Sequence, residues 1–411
     1  MLAASVRLAG DLGLAEDCAQ DAFVSAFVAW LRDGIPRNPG AWLTTAARRK
    51  VLDAHRRNQL LRAKLPLLAG EAMTRPASLG EDPAELAGAD PDHPEDPDGL
   101  DPAAFGDDRL RLIFTCCHPA LAREAQVALT LRLVCGLSTA DISRAFLVSE
   151  ATMAARVTRA KKKIAAARIP YRVPAGHELT ERLDAVLTVL HLVFTAGHAA
   201  PSGDQLVRSD LVDRAIGLGR LLRVLMPDER EVGGLLALML VTDARRATRC
   251  DETGALVLLA EQDRSRWDAQ LIAEGARVLV DALRGGRPGR FVLQAAIAAL
   301  HAEAPDYAET DWGQILGLYD LLRLAWPSPV VELNRAVAVG MVAGPGAGLA
   351  AIDAIDAGAL AGYHYLPAAR AELLCRLGRD AEAATEYDRA IALGANAAER
   401  RYLMAQKRLL S

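Results

Sequence analysis

Aromatic residues are scarce in this chain, at 5% of its 411 positions. With Ala, Leu, Arg and Glu abundant, that scarcity favours helix throughout, and no stretch reads as a sheet. Cysteine is sparse too: Cys18, Cys116, Cys117, Cys135, Cys250 and Cys375 show no framework spacing, which excludes a disulfide-stapled scaffold. No signal peptide and no spanning apolar run is present, so a cytoplasmic protein with reduced thiols and no membrane partner is expected. There is no Gly-rich phosphate loop and no Ser/His/Asp arrangement, so neither an enzyme nor a bound cofactor is expected. The net charge is only -4, but it hides a basic helix and an acidic middle. A chain of this length is expected to form two to four domains.

What is present is clearest from Ser138 to Arg168. Gly136 closes the preceding helix, and Ser138 caps the next with Asp141 reaching back, which predicts a helix ending near Phe146. Leu147 and Val148 make an apolar turn, and Ser149 caps a second helix from Glu150 to Ala167. This is helix-turn-helix punctuation. At about 100° per residue, Met153, Val157, Ala160 and Ile164 fall on one arc and pack, while Thr152, Arg156, Arg159 and Lys163 share another. Seven cations between Ser149 and Arg172 face the single acid Glu150, and phosphate is their natural counter-charge. The alternative is a solvated helix end complementing its own dipole.

Upstream, Leu14 to Trp30 reads as a helix whose Phe23, Ala26, Phe27 and Trp30 recur at i, i+3, i+4 and i+7, a core-facing pattern. Asp17, Asp21, Val24 and Val28 form a second arc, open either to a partner protein or to simple solvation. The break from Asp33 to Pro39 ends this helix, and Asn38 with Pro39 starts another. Leu43, Ala47, Val51 and Ala54 form its packed stripe. Trp42, Arg49, Asp53 and Arg56 lie on a different side, where an exposed indole beside guanidinium groups suits unpaired bases and a phosphate backbone. Taken alone, such a Trp is more often a core residue.

The segments AEDCAQDAF (15–23), PRNPGAWLTTAARRKVLDAHRR (36–57) and REAQVALTLRLVCGLSTADISRAFLVSEATMAARVTRAKKKI (123–164), in this order, resemble a bacterial extracytoplasmic-function sigma factor of the sigma-70 family. The first two are similar to sigma region 2 and the third to region 4, together covering about the first 172 residues. The resemblance implies an all-α fold and partners in core RNA polymerase and promoter DNA. Asp17, Asp21 and the helix around them, with Val24 and Val28, would bind the polymerase clamp. Trp42, Arg48, Arg49, Arg56 and Arg57 would face the melted minus-ten element. Thr152, Arg156 and Arg159, with Lys163 on the same arc, would contact the minus-thirty-five element. In the family a further helix precedes AEDCAQDAF, and Met1 falls inside it.

Two small helical domains are therefore expected, at residues 1–65 and 109–172, joined by a flexible acidic linker at 66–108. That linker is either an RNA mimic threading toward the polymerase RNA channel or a plain spacer. Thr115-Cys-Cys-His118 sits at a buried helix start before Pro119 and has the wrong spacing for zinc, so no metal is assigned.

Residues 178–411 read as a second, all-helical body. Gly378, Ala383, Tyr387 and Ala390 sit at tetratricopeptide-like spacings, with a looser first helix from Pro367 to Leu374 and a weaker pair from Val330 to Ala357. Stacked repeats offer concave surfaces to protein or peptide partners. The arrangement resembles the sigma-factor subgroup with such a C-terminal extension, whose fused body would control activity. Asp243, Arg245, Arg246, Asp263, Arg264, Arg266 and Asp268 form either an anion pocket or, as the preferred reading, salt bridges between helices. His191 and His198 read as ordinary helix-face residues. The competing function is a stand-alone helix-turn-helix regulator with a helical sensing domain, but such a regulator has no use for the 36–57 segment.

Overall fold

The structure is a computed structural model describing residues 1–68, 102–146, 148–174, 177–199, 206–356, 358–394 and 396–410. Among these residues lie eighteen α-helices, and the only β pairing is an isolated bridge between Cys250 and Leu256. The all-helical expectation holds. The chain forms two compact units, residues 1–143 with 148–186, and residues 144–147 with 187–411.

In the first unit, α1 (Leu2–Ala9), α2 (Leu12–Asp33) and α3 (Pro39–Leu68) pack on one another. Asp11 caps α2 by accepting from the Leu14 N–H at 2.8 Å, and Asn38 caps α3 through the Ala41 N–H at 3.1 Å. The expected stripe of α3 is buried at Ala47, Val51 and Ala54. On α2 the buried face is made of small residues, Ala15, Cys18, Ala19, Ala22 and Ala26. Small side chains let helices approach closely, so the larger Phe23 and Phe27 are left outside. The core-facing reading of those two phenylalanines is thus corrected: both are exposed, Phe27 by 70%.

Most of the remainder of this unit is built from α4 (Pro102–Cys116), α5 (Arg123–Leu129), all but the end of α6 (Thr139–Ala145), and α7 (Glu150–Ala166). Thr115 to His118 therefore closes a helix instead of opening one. Cys116 and Cys117 are fully buried, and Cys117 Sγ lies 3.4 Å from Thr130 Oγ1. Residues 102–108, expected in the linker, are the first turns of α4, and Asp108 is buried against Arg7 and Arg111. The rest of the expected acidic linker lies largely outside the described residues, as does Leu147.

The helix α8 (His177–His198) carries the chain from the first unit into the second. There α10 (Arg230–Asp243) is buried nearly all round by α9 (Ser209–Leu225), α11 (Ala269–Leu283) and α12 (Arg290–Glu303). Gly234 makes the α12 contact possible, because a Cβ there would fall 2.5 Å from the Val292 nitrogen. Beyond them come α13 (Trp312–Ala325), α14 (Pro329–Val342), α15 (Pro345–Asp353), α16 (Tyr365–Cys375), α17 (Asp380–Ala392) and α18 (Ala397–Arg408). Pairs α14–α15 and α16–α17 pack as antiparallel neighbours on short turns, with Ala383, Tyr387 and Ala390 buried.

Candidate nucleic-acid and partner interface

The helix-turn-helix is built as its punctuation requires. Gly136 adopts φ 70°, a left-handed conformation that costs glycine little and reverses the chain before α6. Ser138 and Asp141 cap reciprocally: the Asp141 N–H donates to Ser138 Oγ at 3.0 Å, and the Ser138 N–H donates to the Asp141 carboxylate at 3.3 Å. Ser149 Oγ accepts from the Thr152 N–H at 3.1 Å and starts α7. Along α7 the buried residues are Met153, Val157, Ala160 and Ile164. Thr152, Arg159 and Lys163 are exposed and Arg156 is half-buried, so the second arc faces outward as expected. The Thr152 hydroxyl lies 2.8 Å from Ser149 Oγ, and Arg159 Nε donates to the Ala155 carbonyl at 3.3 Å. None of these four carries an ion pair among the described residues, which leaves a row of hydroxyl, guanidinium and ammonium donors for an anionic surface.

On α2, Asp17, Asp21, Val24 and Val28 are all exposed. They are not alone. Phe23, Phe27, Leu31 and Ile35 extend the same outer region as large exposed apolar residues, Leu31 by 75%. A cluster of this kind on a well-packed helix is a large exposed apolar patch. The alanine spacing of α2 was the signal for it, since Ala15, Ala19, Ala22 and Ala26 already occupy the one face that can pack closely.

The α3 residues separate into two environments. Trp42 is half-buried instead of freely exposed, with its ring 5.6 Å from that of Trp30 in an edge-on arrangement. Arg48, Arg56 and Arg57 are exposed and Arg49 is half-buried. Asp53 steadies this end, at 3.7 Å from the Arg56 guanidinium, while its carbonyl accepts from Arg57 Nε at 3.4 Å. The indole is thus held against α2 with one part accessible, which suits stacking by a single splayed base.

Two further contacts escape sequence reasoning because their partners lie far apart in the chain. Glu16 on α2 pairs with Arg132 at 2.8 Å and with Lys161 on α7. The Tyr171 hydroxyl sits 2.7 Å from the Ala3 carbonyl and 2.9 Å from that of Asp108, one donor between two acceptors. Burial, then the neighbouring Asp108 charge, raises the Tyr171 pKa, so the phenol stays protonated for this role. Among the described residues no group of His, Cys, Asp and Glu is arranged to hold a metal ion, and no helix is long and apolar enough to cross a membrane.

An acid-flanked apolar helix face, a basic helix bearing a half-buried indole, and a capped helix-turn-helix with a donor row are features that suit a promoter-recognition protein. Comparison with known families agrees: residues 2–60 match sigma-70 region 2, and residues 111–164 match sigma-70, region 4. Residues 182–283 match a family of unknown function, DUF6596. An uncharacterized protein of Rhizobium meliloti (strain 1021) is 45% identical over 405 residues, covering 98% of this chain and 92% of that protein. No solved structure matches the chain. The chain belongs to the sigma-70 family of sigma factors, regulators of transcription and not enzymes, whose domains imply core RNA polymerase and promoter DNA as partners.

Proposed function

We propose that this is an extracytoplasmic-function sigma factor, acting in the cytoplasm, whose fused C-terminal body controls it. Residues 1–65 bind core polymerase and the minus-ten element, 66–108 form the acidic connection, 109–172 bind the minus-thirty-five element, and 178–411 regulate. The polymerase clamp docks on Asp17, Asp21, Val24 and Val28, extended by Phe23 and Phe27. Trp42 with Arg48, Arg49, Arg56 and Arg57 holds the melted strand, and Thr152, Arg156, Arg159 and Lys163 contact the upstream element. The observation that carries this reading is the exposed apolar face of α2 beside two acids, a surface that a stand-alone repressor has no reason to keep. The antiparallel pairs α14–α15 and α16–α17 support a tetratricopeptide-like end that takes a protein or peptide partner.

The test is a pull-down of core polymerase with the full chain, followed by run-off transcription. A stable complex and a promoter-specific transcript are expected, and absence of both overturns the proposal in favour of the stand-alone regulator. Arg156→Ala or Arg159→Ala is expected to cost about 1–3 kcal/mol of upstream-element recognition where the guanidinium reads a base. A uniform, salt-dependent loss across sequences would instead assign it to phosphate.

A further inference from the structure

The second unit contains an arginine that its surroundings do not use. Of the charged residues around the end of α10, Arg246 is engaged by Asp243 and Asp213 at 2.6 and 2.7 Å. Arg249 donates to the His198 carbonyl. Arg264 donates to the carbonyls of His301 and Ala304 at 2.6 and 2.8 Å and lies 4.6 Å over the Trp267 ring. Asp268 caps α11. The salt-bridge reading is thus corrected for most of this cluster: only Arg246 and Asp243 pair within it, Arg264 is held by carbonyls, and Asp263 and Asp268 cap helices. The Arg245 guanidinium makes no hydrogen bond or ion pair among the described residues, and it borders a cavity of about 300 Å³ instead.

This cavity lies among α10, α12, α13 and α14, and no acidic side chain lines it. Its walls include Trp267, Trp326 and Tyr319, with His301 at one side and the exposed Asn334 at its rim. The Tyr319 hydroxyl has no hydrogen-bond partner among the described residues, and burial holds its pKa up to about 12, so it remains a donor. Burial, then the like charges of Arg249 and Arg264, lower the Arg245 pKa to about 10, and it is still cationic at neutral pH. A half-buried guanidinium facing a cavity without a counter-charge gains from an anion that can enter beside it, and the cavity gives that counter-charge room.

We propose that this cavity binds a small aromatic monocarboxylate, its carboxylate paired with Arg245 and its ring held between the indole and phenol walls. The one guanidinium that lines the cavity without a partner matches a single carboxylate, and the indole and phenol walls match an aromatic ring. The volume admits a body of one or two rings. Such a ligand makes the second unit a small-molecule sensor, which goes beyond its role as a regulatory body.

Binding is measured on the full chain without polymerase, so a failure here leaves the sigma-factor reading standing, and the converse also holds. The probes are benzoate and indole-3-carboxylate, with benzamide and indole-3-carboxamide as uncharged controls, followed by calorimetry and tryptophan emission. Saturable binding of at least one carboxylate is expected, at least about tenfold tighter than its amide, with Arg245→Gln lowering affinity by about the same factor. Arg245→Lys should retain part of it. Should Arg245→Gln fail to fold, Ala298→Leu narrows the cavity with the charge intact and is expected to abolish binding. No saturable binding of either carboxylate up to about 10 mM overturns the proposal. So does equal binding of acid and amide, or affinity unchanged by the folded variants.

Discussion

Two helices of similar apolar content, α2 and α10, have opposite fates. In α10 eleven of fourteen residues are buried, because neighbours close on it from several sides and Gly233 and Gly234 admit them. In α2 the buried residues are Leu12, Cys18 and a stripe of alanines, and the large apolar side chains face out. Apolar composition therefore does not tell interior from interface. The distinguishing feature is where the small residues lie: they mark the face that packs tightly within the chain, and large residues opposite them stay exposed.

The strongest challenge to this contrast is to place charge on the outer face of α2. Phe23→Asp with Phe27→Asp is expected to weaken core polymerase binding by roughly 3–4 kcal/mol, the scale of interface hot spots, with little change in thermal stability. A large drop in melting temperature would mean that these residues belong to the chain's own core. The converse test is Gly234→Val in α10. Its added side chain meets Val292 backbone and side chain, and a loss of about 3 kcal/mol in denaturant unfolding is expected for the second unit. An unchanged transition would show that α10 and α12 are not tightly apposed.

Much of the first unit was legible in the sequence because its signals are local. Capping residues act within three positions, as at Ser138, Asp141 and Ser149, and the α7 arcs follow from helical geometry alone. Phe23 and Phe27 were misread because an i, i+3, i+4, i+7 pattern fits a core and a docking face equally well. The competing alanine stripe decided between them only once α1 and α3 were in place. In the second unit the difficulty is different. Arg245, Trp267, Tyr319 and Trp326 come from separate segments, and no periodicity links them. The sequence showed a charged cluster near Arg245 but not which of its members lacked a partner.

Two half-buried imidazoles sharpen the contrast between the units through pH. Burial, then Arg290, lowers the His191 pKa to about 4; burial, then Arg245 and Arg264, does the same for His301. Both are neutral in the folded protein, while in the unfolded chain they titrate at the ordinary value of about 6.5. Stability is thus complete above about pH 6.5 and falls as pH drops toward 4, because the unfolded state takes up the protons first. At pH 5 a loss of about 1–2 kcal/mol per imidazole is expected for the second unit. Denaturant unfolding at pH 7 and pH 5 measures it, and the double variant His191→Gln, His301→Gln should make the dependence shallower, leaving the part due to His198, whose pKa burial also lowers. An equal pH slope in the variant would remove these two imidazoles as its source.

The smallest expected effect concerns Glu16, which ties α2 to α7. Its carboxylate holds Arg132 and Lys161, each side chain about a quarter exposed. Partial solvation limits the worth of such pairs, so Glu16→Gln should cost only about 1 kcal/mol of stability. The change in DNA binding is more informative. With Glu16 neutral, Lys161 loses its counter-charge and becomes available to a phosphate beside the row formed by Arg156, Arg159 and Lys163. Each additional neutralised phosphate releases roughly one counterion, so binding of duplex DNA should tighten at low salt. The slope of log affinity against log salt should then steepen by about 1. A melt lowered as expected with an unchanged salt slope would show that Lys161 stays directed away from the duplex. It would also confine the DNA-facing surface of α7 to its outer arc.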